Sequence, residues 1–210
     1  MKRRLTENWK RIEQRIAAAC ERAHRKPSSV TLVAVTKAAS LDVIRTLVEI
    51  GLTDLGENRV QELIRRAAML KEWLSRRGWD SSSAPLSAPR WHMIGHLQRN
   101  KVRAVLPWVE LIHSVDSLRL AEEIDAESAK LERKMPILLE VNASGEASKS
   151  GVAVAATTHL AEQINSLRHI ELRGLMAMAP LTNDASVTRH TFRRVRELFD
   201  EVIGERICGP

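Results

Sequence analysis

The sequence predicts an α/β fold built on a parallel sheet. Short runs rich in valine, leucine and isoleucine alternate with stretches whose apolar residues recur every three or four positions. The apolar runs are nearly continuous, as in strands buried on both faces. The alternation gives a leading helix and then six strand–helix units of about thirty residues each. Two architectures accept such a pattern, an open doubly wound sheet or a (β/α)8 barrel. The count of six favours the open sheet. Against it, no glycine-rich phosphate fingerprint follows the first strand, where the sequence reads TKAAS.

Each element has its own signal. Leu5, Trp9, Ile12, Ile16 and Ala19 form the stripe of an amphipathic helix over about residues 2–24. Pro27 breaks the chain, and 29–38 (SVTLVAVTKA) reads as the first strand. Ser40 is placed as the N-cap of a helix carrying Val43, Ile44, Leu47 and Val48, with Gly51 as its C′ residue. Residues 52–58 read as a strand, followed by a helix with Val60, Leu63, Ile64, Ala67 and Leu74 on one side. A strand at 91–95 leads to a short basic helix from about Asn100 that ends before Pro107. Strands at 108–115, 136–142 and 170–178 follow. Their helices carry Leu118, Ala121, Ile124 and Leu131, then Leu160, Ala161, Ile164 and Leu167, then Phe192, Val195, Phe199 and Val202. The serine- and proline-rich stretch 80–89 (DSSSAPLSAP) reads as a surface loop insertion without chemistry.

Composition narrows the classes. With 44% hydrophobic and 28% charged residues, the chain of 210 has a globular rather than a disordered balance. No apolar run reaches the roughly 18–20 residues of a membrane span. The start, MKRRLTENWKRIEQ, is basic without an apolar stretch behind it, so a cytoplasmic protein is expected. Cys20 and Cys208 lie near opposite ends, which suits neither a disulfide framework nor a zinc site. The net charge of +7 invites a nucleic-acid reading, and Arg99, Lys101 and Arg103 are its best patch. Yet the charge is scattered over helix faces, Arg65 and Arg66 among them, and reads as solvated surface. The chain has no tyrosine, which excludes a phenolic acid or base within it.

Ligand groups in both architectures collect at the carboxyl ends of the strands. Those ends hold Lys37, Asn58, His92, His113 with Ser114, Asn142, and Met176 with Met178. Singly, each asparagine also serves as a turn-forming cap, and each histidine as a hydrogen-bonded core residue. Lys37 is the strongest signal. The period of two puts it on one strand face with Val33 and Val35, where burial disfavours an ammonium. A neutral amine is what Schiff-base chemistry needs, whereas a lysine reaching out to water is the competing reading.

Six motifs in order resemble a known family: LVAVTK (32–37), GENRVQE (56–62), WHMIGHLQRNK (91–101), IHSVDS (112–117), EVNASGEASKSG (140–151) and LRGLMAMAP (172–180). Together they look like the YggS/PROSC family of pyridoxal 5′-phosphate (PLP) homeostasis proteins. The resemblance implies a (β/α)8 barrel like the N-terminal domain of alanine racemase, PLP fold type III. It implies that Lys37 holds PLP as an aldimine and that Asn58, His92, Ser114, Asn142 and Met176 line the pocket, with Lys149 a possible contact at the rim. It implies a cytoplasmic PLP carrier without catalytic turnover, with apo PLP-dependent enzymes as partners, no metal, no membrane and no specific nucleic acid.

Measured against that family, residues 1–210 are expected to form one incomplete barrel domain with an extra N-terminal helix, two of the eight strand–helix units being absent. Phosphate sites in such barrels are typically built from the loops after strands seven and eight. The expectation is therefore weakened PLP binding, and association through the first and sixth strands as long, apolar, unpaired edges, where the family is monomeric. A PLP-dependent racemase or decarboxylase of the same barrel type is the enzymatic alternative. It would bring a second β domain and, in the racemase, a tyrosine acid/base. A basic nucleic-acid or acidic-surface binder is the second alternative, recognisable by steep salt dependence.

Overall fold

The computed structural model describes residues 1–76, 88–146 and 150–204. A helix, α1 (Lys2–Arg22), leads into β1 (Ala34–Val35), α2 (Leu41–Glu49), β2 (Asp54–Glu57), α3 (Val60–Arg76), β3 (Arg90–Met93) and α4 (Val102–Val105). There follow β4 (Leu111–Val115), α5 (Leu118–Lys130), β5 (Met135–Asn142), β6 (Val152–Ala153), α6 (Val154–Asn165), β7 (Ile170–Met176) and α7 (Ala185–Gly204). Ser40 caps α2, its hydroxyl accepting from the Val43 amide at 3.4 Å. Gly51 closes that helix at φ +93°, a conformation that costs a residue without Cβ little.

The main strands lie in the order β1-β2-β3-β4-β5-β7, all parallel. The short β6 pairs with the last two residues of β5. A doubly wound sheet reverses its strand order about the first strand. This one never reverses, so it is wound as a barrel wall, and of the two architectures that the residue pattern left open the barrel type is the one present.

Register sorts the two faces. Met93 pairs with Ile112, Ile112 with Ile137, and Ile137 with Leu172, an apolar row running across the sheet. That row is buried together with Ile44, Leu63, Ala67, Ile124 and Ile164 of the helices. Each such side chain contributes about 1.5–3 kcal/mol on leaving water. The opposite face carries Gly56 beside His92, and Glu140 beside Met176. It is there that polar groups gather.

Two expectations are corrected. The first strand is two residues long instead of the ten expected, because it pairs only with β2 and a 3-10 turn (Pro27–Ser29) takes up the preceding chain. One edge is therefore short, which itself limits edge-to-edge association. The stretch 80–89 lies almost wholly outside the described residues, as does Cys208. Among the described residues, no helix is long and apolar enough to cross a membrane.

Candidate functional site

Lys37 sits in the turn after β1, and it is exposed. It lines a cavity of about 440 Å³ with Glu57, Asn58, Arg59 and Glu62. The expected desolvation is not found: Val35, its companion on the strand face, is 54% exposed. The strand ends at Val35 and Lys37 lies in the turn beyond it, and among the described residues no strand lies beyond β1 on that edge of the sheet. The amine has no hydrogen bond or ion pair among the described residues, so nothing holds it from a ligand.

The backbone that carries this lysine is anchored from below. Arg66 of α3 is 8% exposed and Glu57 of β2 is 1% exposed. The Arg66 guanidinium meets Glu57 Oε1 at 2.6 Å and also donates to the carbonyl of Thr36. The Thr36 hydroxyl donates to the same Glu57 Oε1 at 2.6 Å. Arg66 thus grips the peptide joining Thr36 to Lys37. Its expected place on solvated surface is corrected. The signal was present in the sequence, since Arg66 falls three residues after Leu63 and four before Leu70, inside the buried stripe. Glu57 Oε2 is buried beside the Lys37 cavity without a hydrogen-bond partner among the described residues.

A second cavity, about 210 Å³, opens at the ends of β3, β5 and β7, and its walls include Gly95, His96, Glu140, Asn142, Met176 and Met178. Asn142 shapes the loop that follows it: its amide donates to the Glu146 carbonyl at 2.8 Å, and its oxygen accepts from Ser144 and from the Gly145 amide, each at 3.1 Å. Glu140 is buried, and burial together with nearby Asp116 pushes its carboxyl up, partly offset by His96. His96 and Asp116 lie 3.4 Å apart. One wall residue of each cavity meets the other where Gly95 passes Asn58. A Cβ at Gly95 would stand 2.5 Å from the Asn58 carbonyl oxygen, so only glycine permits this approach.

His92 and Ser114 do not line the two cavities just described, and both side chains are held by hydrogen bonds. His92 is buried, with Nε2 3.0 Å from Asp54 Oδ1 and Nδ1 2.9 Å from His113 Nε2. Asp54 also takes Arg90 at 2.5 Å. The imidazole is committed to a polar chain on the sheet face, because register sets it beside side-chain-free Gly56 with room to reach both neighbours. Ser114 donates its hydroxyl to the Gly95 carbonyl at 2.6 Å and so holds the loop that meets Asn58. Of the residues read from sequence, Lys37 and Asn58 therefore share one cavity, and Asn142 and Met176 the second one. Glu57, Arg66 and Glu140 were missed. Lys149 lies outside the described residues.

Comparison with known proteins agrees with this fold. The family described as "Alanine racemase, N-terminal domain" matches residues 3–207. A pyridoxal phosphate homeostasis protein of Aquifex aeolicus is 36% identical over 196 residues, which make up 93% of this chain and 80% of that protein. Its counterpart in Pseudomonas aeruginosa is 35% identical over 195 residues, 93% of this chain and 79% of that protein. PipY of Synechococcus elongatus, solved with PLP bound, is 32% identical with a TM-score of 0.74, over 92% of this chain and 82% of that one. The chain belongs to the alanine racemase N-terminal-domain family and, within it, to the pyridoxal phosphate homeostasis proteins.

Proposed function

We propose that this chain binds PLP covalently through Lys37 and serves PLP homeostasis in the cytoplasm, passing the cofactor to apo-enzymes without turning over a substrate. The observation that carries the reading is Lys37 itself, an accessible amine, unpaired among the described residues, at the carboxyl end of the first strand. The residues present fit the group. An aldehyde condenses with an amine that is free to reach it. The 440 Å³ cavity lies within the roughly 300–1,000 Å³ common for small-molecule sites. Asn58, on its wall, offers an uncharged amide donor, and Met176, on the second cavity, offers soft packing for a ring.

When bound, PLP supplies a reactive aldehyde on an electron-withdrawing ring. The chain supplies position. Arg66 and Glu57 fix the peptide before the lysine, and Ser114 fixes the loop against Asn58. Absence of tyrosine from the sequence supports a carrier over a racemase, since no phenolic acid/base is available within the chain.

Titration with PLP, borohydride reduction and peptide mapping test the reading. Label concentrated on the Lys37 peptide is expected, and label spread over surface lysines without preference would overturn it. Incubation with L-alanine and PLP should leave the enantiomer unchanged; formation of D-alanine would overturn the non-catalytic part.

A further inference from the structure

A third cavity, of about 650 Å³, lies between the loop after β5 and the first turns of α7. Ala143 and Ser144 wall one side of it, and Pro180 and Val187 give it apolar surface. Arg189, His190, Arg193 and Arg194 line it from the helix. It shares no lining residue with the Lys37 cavity or with the one that holds Glu140. Its walls follow β5 and β7, which pair with each other, so the sheet holds both.

The charge in this cavity is one-sided. Arg189, Arg193 and Arg194 make no hydrogen bond or ion pair among the described residues. The next arginine on the same helix, Arg196, is by contrast paired with Asp200. Asp184, just before the helix, accepts from the Ser186 amide and hydroxyl at 2.7 Å each and leaves the arginines without a counter-charge. Arg189 and Arg193 stand four residues apart, one turn over the other, and like charges so placed repel. An anion bound between them turns that repulsion into attraction.

Chemistry names the class of anion. A guanidinium presents a planar fork that fits two phosphate oxygens at once. The three guanidiniums match a diphosphate group, which carries about three negative charges at neutral pH. Arg189 and Arg193 are separated by about 6 Å of helix axis, a spread that two linked phosphates cover better than one. The cavity lies within the roughly 300–1,000 Å³ common for small-molecule sites, and Pro180 and Val187 offer a wall to whatever the diphosphate carries.

We propose that this cavity binds a soluble ligand by its diphosphate group, held by Arg189, Arg193 and Arg194. The site stands apart from Lys37, and the proposal does not rest on the PLP reading.

Isothermal titration calorimetry on the full chain tests it, with inorganic diphosphate, ADP and inorganic phosphate as probes. Inorganic diphosphate and ADP should each saturate a single site at least about tenfold more tightly than phosphate. ADP binding more tightly than inorganic diphosphate would identify a nucleotide as the ligand, and equal binding the inorganic ion; either supports the site. Arg189→Gln combined with Arg193→Gln should weaken diphosphate binding about a hundredfold. Arg99→Gln combined with Arg103→Gln, an exposed basic pair on another element, should leave it unchanged. Should the first variant fail to fold, the wild-type order of the three probes decides alone. No saturable binding of diphosphate, phosphate binding as tightly as diphosphate, or an equal loss in both variants would overturn the proposal.

Discussion

His92 Nδ1 and His113 Nε2 lie 2.9 Å apart on adjacent strands, within hydrogen-bonding distance. Asp54 accepts from the other nitrogen of His92 at 3.0 Å and takes Arg90 at 2.5 Å. Burial would raise the Asp54 carboxyl, but the hydrogen bonds from Arg90 and His92 outweigh it and hold it below the usual carboxylate range. The chain thus begins on a firm anion and ends on a histidine that resists charging. His113 is pushed down to about 4, by burial first and by its neighbour His92 second.

Stability should therefore fall on mild acidification. Between the ordinary histidine value of 6.5 and about 4 the unfolded chain binds a proton at His113 that the folded chain does not. Stability is full above that window and is lost as pH drops through it. The His113 ring is partly wet, so the loss attributable to it is discounted to about 1–2 kcal/mol. Urea unfolding of wild type and His113→Gln at several pH values checks this. The variant should lose that part of the slope, and an unchanged slope would remove His113 as the cause.

Arg66 should be among the costliest side chains to remove. Arg66→Met keeps much of the volume but leaves the Glu57 carboxylate buried with no cation, while the Thr36 carbonyl loses its guanidinium donor. Breaking a buried pair on one side costs about 3–5 kcal/mol. Thr36→Val, which removes one hydrogen bond to Glu57, should cost about 1 kcal/mol. Chemical denaturation of the two variants checks the ranking. Equal costs would mean that the guanidinium anchors the Lys37 turn no more than the hydroxyl does.

Much of this architecture was legible because it depends on local periodicity. Ser40, Gly51 and the stripe of Ile44, Leu47 and Val48 mark α2 without help from any other segment. Winding was not legible, since the same alternation builds either α/β class and only pairing order separates them. The period of two was carried on to Lys37, but the strand stops at Val35 and the lysine stands exposed in the turn beyond it. Arg66 and Glu140 failed for a shared reason. Both occupy positions their neighbours mark as buried; Arg66 was read as solvated surface and Glu140 was given no role, because a charged residue in such a place points nowhere until its partner is known. The meeting of the two cavity walls could not be foreseen, because it depends on how closely Gly95 passes Asn58, two strands' loops distant in sequence.

That approach supplies a further prediction. At Gly95 an added Cβ would lie 2.5 Å from the Asn58 carbonyl oxygen and 2.7 Å from its Cα, both backbone atoms that cannot swing aside. Gly95→Ala must therefore displace one loop from the other. Overpacking of this kind costs about 1–3 kcal/mol. The loop that moves carries Asn58 on the wall of the Lys37 cavity, so loss of stability and weaker borohydride-fixed labelling of Lys37 should appear together. Ser114→Ala is the companion variant. It frees the Gly95 carbonyl without crowding Asn58, and should cost about 1 kcal/mol with labelling nearly unchanged. Thermal unfolding and quantitative peptide mapping on both variants separate the effects. Full labelling in Gly95→Ala despite lowered stability would show that the position of Asn58 does not govern access to the lysine.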